Sequence, residues 1–195
     1  RDALESLQIK NDGLLFCVGD GNHSLASAKE CYNLNKGELN KYALAEVGNI
    51  HDTALDFEPI YRVVFGYDTK TLINAFAQYC GGEYNGCDAQ KFKCVYSDGE
   101  TEISVKPKAK LCIGTLQAFL DEYLKDSTAT TDYIHGTDAV YDLCKKENVT
   151  GFIFEGMSKE DLFPAVVSDG SLPRKTFSMG HADDKRFYLE VRKIK

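Results

Sequence analysis

The sequence predicts an α+β fold (mixed α/β), with a mixed, largely antiparallel sheet and helices packed on it. Two β-type segments, 92–96 and 102–105, flank Ser97-Asp98-Gly99, and an Asp-Gly pair is a strong hairpin signal. Apolar residues recur at one-face helical spacing in 72–79 and 115–124. Because hairpins are mixed with helices along the chain, the order favours α+β over a doubly wound parallel sheet.

The N-terminal segment is predicted to form a buried strand that runs into a helix. Residues 14–18 are continuously apolar (Leu-Leu-Phe-Cys-Val), which is typical of a strand covered on both faces. Gly19 and Gly21 then allow a tight turn, and the helix is expected to begin at Leu25-Ala26-Ser27-Ala28. The first amide groups of this helix, and its dipole, are expected to face the turn.

The other elements follow from β-propensity, helix caps and chain breakers. Strands are predicted over 41–50, 58–65, 92–96, 102–105, 133–135, 151–155 and 187–194. Helices are predicted from a cap at Asp68 or Thr69 to a stop at Gly81-Gly82, from Thr115 through Leu124, and over 137–146. Ser158-Lys159-Glu160-Asp161 resembles a capping box, and Pro164 is expected to limit or kink the segment that follows.

Length, composition and charge exclude some classes of function. The chain has 195 residues, enough for a single compact domain over 1–195, and a formal net charge of −7. A nucleic-acid surface needs clustered positive charge, so we expect no nucleic-acid partner. No apolar run approaches the length of a membrane span and no signal peptide is visible, so we expect no membrane partner and a cytoplasmic location. The chain begins at Arg1 rather than Met, and we expect a fragment or a processed product.

Seven cysteines occur without any C-x-x-C pair. An odd count without paired spacing favours reduced thiols over a disulfide framework. Cys80, Cys87 and Cys94 recur every seven residues, but they fall on a helix end, a loop and a strand. We therefore expect no metal site.

The turn Gly19–Ser24 has two interpretations. In the first, Asp20 or Asn22 simply caps the helix, as in an ordinary turn. In the second, the exposed amide groups bind a phosphate or carboxylate. The dinucleotide pattern G-x-G-x-x-G fails because Ser24 takes the place of its third glycine, and no Walker pattern follows. His23 favours the second interpretation, since an anion site can use an imidazole as donor or as general acid/base.

Two further segments carry candidate binding residues. Arg62 lies in the middle of an apolar strand, where a buried Arg must be paired or ligand-bound, whereas at a strand edge it is ordinary surface. Pro173-Arg174-Lys175-Thr176 offers two cations and a hydroxyl in a loop, suited either to anion contact or to simple solvation. We expect turn, surface or structural roles for His51-Asp52, His135 and His181.

Four ordered segments resemble an uncharacterised bacterial family, domain of unknown function 1015. Asp20-Gly21-Asn22-His23-Ser24 is similar to its Asp-Gly-His-His-Arg signature at a strand-to-helix turn. Asn49-Ile50-His51-Asp52 and Pro59-Ile60-Tyr61-Arg62 are similar to its Asn-Met-Asp/Asn-Ile-His-Asp and Pro-Thr-His-Arg segments. Leu172-Pro173-Arg174-Lys175-Thr176 is similar to its Met-Pro-x-Lys-Ser/Thr motif. Family members are longer, so the resemblance implies that this chain is a C-terminal portion whose N-terminal half is a missing partner.

The signature turn is in turn similar to the Gly-x-x-Arg turn of the ParB and sulfiredoxin superfamily, which binds nucleotide phosphates there and includes free-serine kinases. The resemblance implies a small phosphorylated ligand or nucleotide, with ATP or ADP and Mg²⁺ as cofactors of a small-molecule phosphotransferase. It implies acid/base or metal-contact roles for Asp20 and His23. It implies phosphate contacts or charge neutralisation by Gly21, Asn22, Ser24, Arg62, Arg174, Lys175 and Thr176. This hypothesis needs these groups in one pocket.

The alternative hypothesis is a non-catalytic ligand-binding or regulatory module. Ser24 stands where the family has an Arg, so the guanidinium that would hold a phosphate with two hydrogen bonds is missing from the turn. This difference, and the missing N-terminal half, favour the module for this chain on its own.

Overall fold

The computed structural model describes residues 2–10, 15–19 and 21–179. These residues belong to two compact units, the first drawn from Arg1–Asn49 and the second from Ile50–Lys185. The expectation of one domain over the whole chain stays a prediction.

The first unit is helical where it is regular. It contains α1 (Asp2–Lys10), α2 (Asn22–Leu34) and a short 3₁₀ helix (Glu38–Asn40). Helix α1 was not predicted, and α2 begins three residues before the predicted start.

The two strands predicted in this unit are wrong. Residues 15–18, the described part of the segment 14–18, and residues 41–50 form no strand. Phe16 and Val18 are 55% and 49% exposed, so they do not lie in a covered sheet. An apolar run becomes a strand only where neighbouring strands supply hydrogen bonds and a packing surface, and the described residues of this unit supply neither.

The second unit is built on an antiparallel sheet, and this confirms the predicted α+β class. Its strands are β1 (Phe57–Phe65), β2 (Gln90–Tyr96), β3 (Gly99–Val105), β4 (Thr130–His135), β5 (Val149–Phe154) and β6 (Phe177–Met179). The sheet order is β3-β2-β5-β1-β4, and β6 pairs with the first residues of β1. All strand pairs among the described residues are antiparallel.

Four helices complete this unit, and local signals in the sequence place them. They are α3 (Thr69–Tyr79), α4 (Cys112–Tyr123), α5 (Thr137–Leu143) and α6 (Leu162–Asp169), the last preceded by a 3₁₀ turn (Lys159–Asp161). Asp68 caps α3, since its Oδ1 accepts a hydrogen bond from the Thr71 amide at 2.9 Å. The predicted capping box at Ser158 and Asp161 is present.

Differences from the predicted bounds are small in this unit. Helix α4 begins at Cys112 rather than at Thr115, whose hydroxyl accepts hydrogen bonds from the amides of Lys108 and Ala109. Helix α5 ends at Leu143 rather than Lys146, and β6 was not predicted. The strand predicted over 187–194 lies outside the described residues.

An aromatic core joins α3 and α4 to the sheet. The ring of Phe76 lies 4.9 Å from Phe92, 5.1 Å from Phe119 and 5.9 Å from Phe152, measured between centroids. All four side chains are almost fully buried. This packing fixes α3 and α4 against β2 and β5, and Phe152 of β5 is paired in register with Arg62 of β1.

Candidate functional site

Arg62 is the most unusual buried residue of the second unit. It lies on β1, paired in register with Tyr133 of β4 on one side and Phe152 of β5 on the other. Its side chain is fully buried, with 0% relative exposure. The interpretation of Arg62 as an ordinary surface residue at a strand edge is therefore wrong, and its charge needs partners inside the fold.

Neutral groups supply those partners. The Arg62 Nε donates to Oε1 of Gln117 on α4 at 2.7 Å, and Nη1 donates to the Ile60 carbonyl at 2.7 Å. Its Nη2 donates to the carbonyl of Arg174 at 3.0 Å. The guanidinium thus ties β1 to α4 and to the loop that carries Arg174, and its hydrogen-bond acceptors among the described residues are all neutral.

Three cations surround one aromatic ring at this position. The guanidinium carbon of Arg62 lies 4.4 Å from the centroid of the Tyr133 ring, and that of Arg174 lies 5.4 Å from it. The ammonium nitrogen of Lys175 lies 5.1 Å from the same centroid. Ring quadrupoles attract cations at such distances. We call Arg62, Arg174 and Lys175 the cation cluster.

The loop that carries two of these cations is internally braced. The Thr176 hydroxyl donates to the Pro173 carbonyl at 2.6 Å, and Thr176 is buried. Lys175 has a left-handed backbone, with φ 51°. Thr176 therefore shapes the loop, whereas the side chains of Arg174 and Lys175 are exposed and can reach a ligand.

The electrostatics of the cluster favour an anion. Burial lowers the pKa of Arg62 to about 10; the proximity of Tyr133 opposes this shift and that of Arg174 adds to it. Arg62 therefore remains protonated at neutral pH. Among the described residues, no carboxylate lies within 4.0 Å of any member of the cluster. The cluster thus concentrates positive charge in a chain whose formal net charge is −7.

The strand-to-helix turn is placed in the first unit as an irregular segment followed by α2. Gly21 precedes α2 with φ 81°, and its carbonyl accepts a hydrogen bond from the Leu25 amide at 2.9 Å. Asn22, His23 and Ser24 form the first turn of α2, and their side chains are exposed. Asp20 lies outside the described residues. That the turn and the cation cluster share one pocket stays a prediction.

A family model matches more than half of the chain. The model described as "Protein of unknown function (DUF1015)" matches residues 2–123. The chain belongs to this family. No curated protein and no solved structure matches it. The similarity to the ParB and sulfiredoxin superfamily stays a prediction.

The DUF1015 match includes the turn, Arg62 and Gln117, and it ends before Tyr133 and the loop of Arg174. Two residues that contact Arg62, Gln117 and Tyr133, were missed by sequence reasoning. Gln117 could have been found, because it interrupts the apolar face of α4 between Ile113 and Leu120. Tyr133 carried no signal beyond its place in a predicted strand.

Other candidates have structural roles in this DUF1015 chain. The Asp52 carboxylate accepts from the Ala54 amide at 2.9 Å, which fits the predicted turn role of His51-Asp52. His135 ends β4 and is exposed. His181 lies outside the described residues.

A cleft of about 770 Å³ lies elsewhere in the second unit. Its described lining includes Gln90, Lys110, Cys112 and Glu155, and no member of the cation cluster. We favour the cation cluster over this cleft as the candidate site. The described lining of the cleft contains both lysines and acidic residues, so it does not concentrate positive charge as the cluster does.

Within residues 2–10, 15–19 and 21–179, no three His, Cys, Asp or Glu side chains are grouped so as to hold a metal ion. In those ranges, too, none of the helices combines the length and apolar character that crossing a membrane requires.

Proposed function

We propose that this DUF1015 chain binds a small phosphorylated ligand or nucleotide through the cation cluster. One observation carries the proposal: three cations lie on one tyrosine ring, with no carboxylate of the described residues in ion-pair contact. Because the three cations repel one another, a multiply charged anion lowers their electrostatic energy more than a singly charged anion does. Phosphate is the common multiply charged anion in cells.

The three cations would contribute to ligand binding in different ways, because two of them are exposed and one is buried. Arg174 and Lys175 are exposed, so their head groups are available to donate charge-assisted hydrogen bonds to phosphate oxygens. Arg62 lies behind them with most of its donors already used, so it contributes a fixed charge rather than a direct contact. Because the Pro173–Thr176 loop is braced in advance, less conformational entropy is lost when a ligand binds.

The start of α2 supports a second phosphate-binding element in the first unit, formed by Gly21, Asn22 and Ser24. Asn22 and Ser24 lie in the first turn of α2, where the helix dipole and the amide groups of a helix start favour an anion. The finer proposal is phosphotransfer from ATP or ADP with Mg²⁺, with Asp20 and His23 as acid and base. It rests on the similarity of the turn to the ParB and sulfiredoxin superfamily. Ser24 in place of the family's Arg favours the second candidate, a binding module without turnover.

The first unit also supports the proposal of a further partner, the N-terminal half of the same protein. Among described residues 2–49 none is buried, and Leu34 and Leu44 are 81% and 79% exposed. Covering apolar side chains that are exposed to this extent with another surface lowers the free energy of the protein.

We propose a cytoplasmic location because all seven cysteines are free thiols.

Calorimetric titration of the complete protein with ATP, ADP, CTP and inorganic pyrophosphate tests the proposal. We expect binding by the native protein, and a loss of at least about tenfold in affinity on Arg174→Ala/Lys175→Ala, which removes two charge-assisted contacts. The matched control is Lys145→Ala/Lys146→Ala, which removes the same charge from an exposed helix end and should leave affinity unchanged. Equal losses in both variants would indicate a general charge effect and refute the site.

A phosphate-transfer assay on amino acids then separates the two candidate functions. Turnover that His23→Ala abolishes supports the phosphotransferase. Binding without turnover supports the module.

A further inference from the structure

The partner of Arg62 on α4 is neutral, although a carboxylate would be the ordinary partner of a buried arginine. Fully buried arginines are almost always ion-paired. Here Oε1 of Gln117 accepts from the Arg62 Nε at 2.7 Å, and Gln117 is only 5% exposed. A glutamate at this position would have nearly the same shape and would cancel the charge.

A carboxylate does stand nearby, but the glutamine keeps it away from the guanidinium. Nε2 of Gln117 donates to Oδ1 of Asp121, one helical turn further along α4, at 2.8 Å. Asp121 is exposed and makes no ion pair with Arg62 within 4.0 Å. The amide of Gln117 therefore separates acid from base, with its oxygen towards Arg62 and its nitrogen towards Asp121.

We propose that Gln117 is a positioning residue that holds Arg62 in place while leaving its charge uncompensated for an anionic ligand. The inference rests on the proposed function, and it explains why the acceptors of this buried cation among the described residues are all neutral, namely Gln117 and the carbonyls of Ile60, Tyr61 and Arg174. Position 117 therefore sets the affinity of the cation cluster for anions without touching the ligand.

The decisive variant is Gln117→Glu combined with Asp121→Asn. The new carboxylate still accepts from Arg62, and the new amide can donate to that carboxylate, so the number of hydrogen bonds is kept. The variant adds an ion pair beneath the cluster and cancels one of its three charges. We expect the affinity for pyrophosphate, measured by calorimetry, to fall at least about fivefold. We expect the urea midpoint of unfolding to stay the same or rise.

A fall in pyrophosphate affinity without a fall in the urea midpoint is the readout that a merely structural role would not produce. A fall in affinity that accompanies a lower urea midpoint would overturn the proposal, because the loss would then follow from damage to the fold. Wild-type affinity in the variant would also overturn it. Both results leave the proposed function standing, provided that the native protein binds pyrophosphate and that Arg174→Ala/Lys175→Ala binds it at least about tenfold more weakly.

Asp121→Asn alone provides the second measurement, and it decides the matter if the double variant does not fold. It changes an exposed side chain and removes the carboxylate nearest to Gln117. We expect the affinity for pyrophosphate to rise about twofold, because less negative charge then lies near Arg62. Affinity equal to or below that of the native protein would overturn the proposal. If the native protein binds no pyrophosphate, the proposed function and this inference both fail.

Discussion

Gly151 on β5 provides a sharp test of how α5 packs on the sheet of the second unit. It lies opposite Val63 of β1 and Val95 of β2, on the face of the sheet that α5 covers. A Cβ atom built at Gly151 would overlap Cγ1 of Val140 and would lie 2.8 Å from Sγ of Cys144. Both neighbours are buried and lie on one short helix segment, so Gly151→Ala must push α5 away from the sheet.

The expected cost of Gly151→Ala is about 1–3 kcal/mol of unfolding free energy, the usual range for one methyl group too many in a packed core. Val140→Ala alone should cost about 2 kcal/mol, because it removes buried methyl groups and leaves a cavity. In the double variant the new methyl group occupies the space that Val140 vacates. Its cost should therefore be smaller than the sum of the two single costs by about 1 kcal/mol or more.

Urea denaturation followed by far-ultraviolet circular dichroism measures these quantities, since the chain has no tryptophan for fluorescence. Gly156→Ala is the graded control. Its new Cβ would lie 3.2 Å from Cδ of Pro59, a tighter than usual contact without overlap, so its cost should be the smaller one. Strictly additive costs, or a Gly151→Ala variant as stable as the native protein, would show that α5 does not pack on β5 in this way.

Three further predictions concern single residues. Lys175→Gly should raise the unfolding free energy by up to about 1 kcal/mol, because glycine relieves the left-handed backbone; the same variant should bind pyrophosphate more weakly in calorimetry. Hydrogen bonds from the side chain and backbone of Thr71 lower the pKa of Asp68, so its contribution to stability is present above its ordinary pKa and is lost as pH falls through the lowered value. Acid titration of thermal unfolding should show this loss in the native protein and not in Asp68→Ala. Burial raises the pKa of Cys94 to about 12, so at pH 8 iodoacetamide should modify exposed Cys87 and leave Cys94 unmodified, as read by mass spectrometry.

The fold of the second unit was predictable because its signals are local. The cap at Asp68, the Asp98-Gly99 hairpin and the apolar face of α4 each depend on residues within one or two turns of one another. By contrast, the apolar run at 14–18 and the segment 41–50 have compositions that predict strands, but neither forms one in the described residues. Whether such a run pairs depends on a neighbouring strand, and sequence composition does not contain that information.

The candidate site was predictable only in its parts. Arg62 was singled out because a charged residue interrupts an apolar strand, and the cations of the Arg174 loop because of the family motif. Arg62 of β1 and Arg174 of the loop both lie near the ring of Tyr133 on β4, although Arg62 and Arg174 are 112 residues apart in the sequence. Local sequence patterns do not predict contacts between residues so far apart. The hydrogen bond from Arg62 to Gln117, 55 residues away, could not be predicted for the same reason.

One detail of the Arg62 contacts has an evolutionary consequence. The guanidinium holds residue 174 by its main-chain carbonyl, an atom that every amino acid possesses. Related chains can therefore exchange the side chain at this position, and so retune ligand preference, without releasing the loop from its anchor. The exposed side chain at position 174 can therefore vary during evolution while the hydrogen bond from Arg62 to the main chain of the loop is kept.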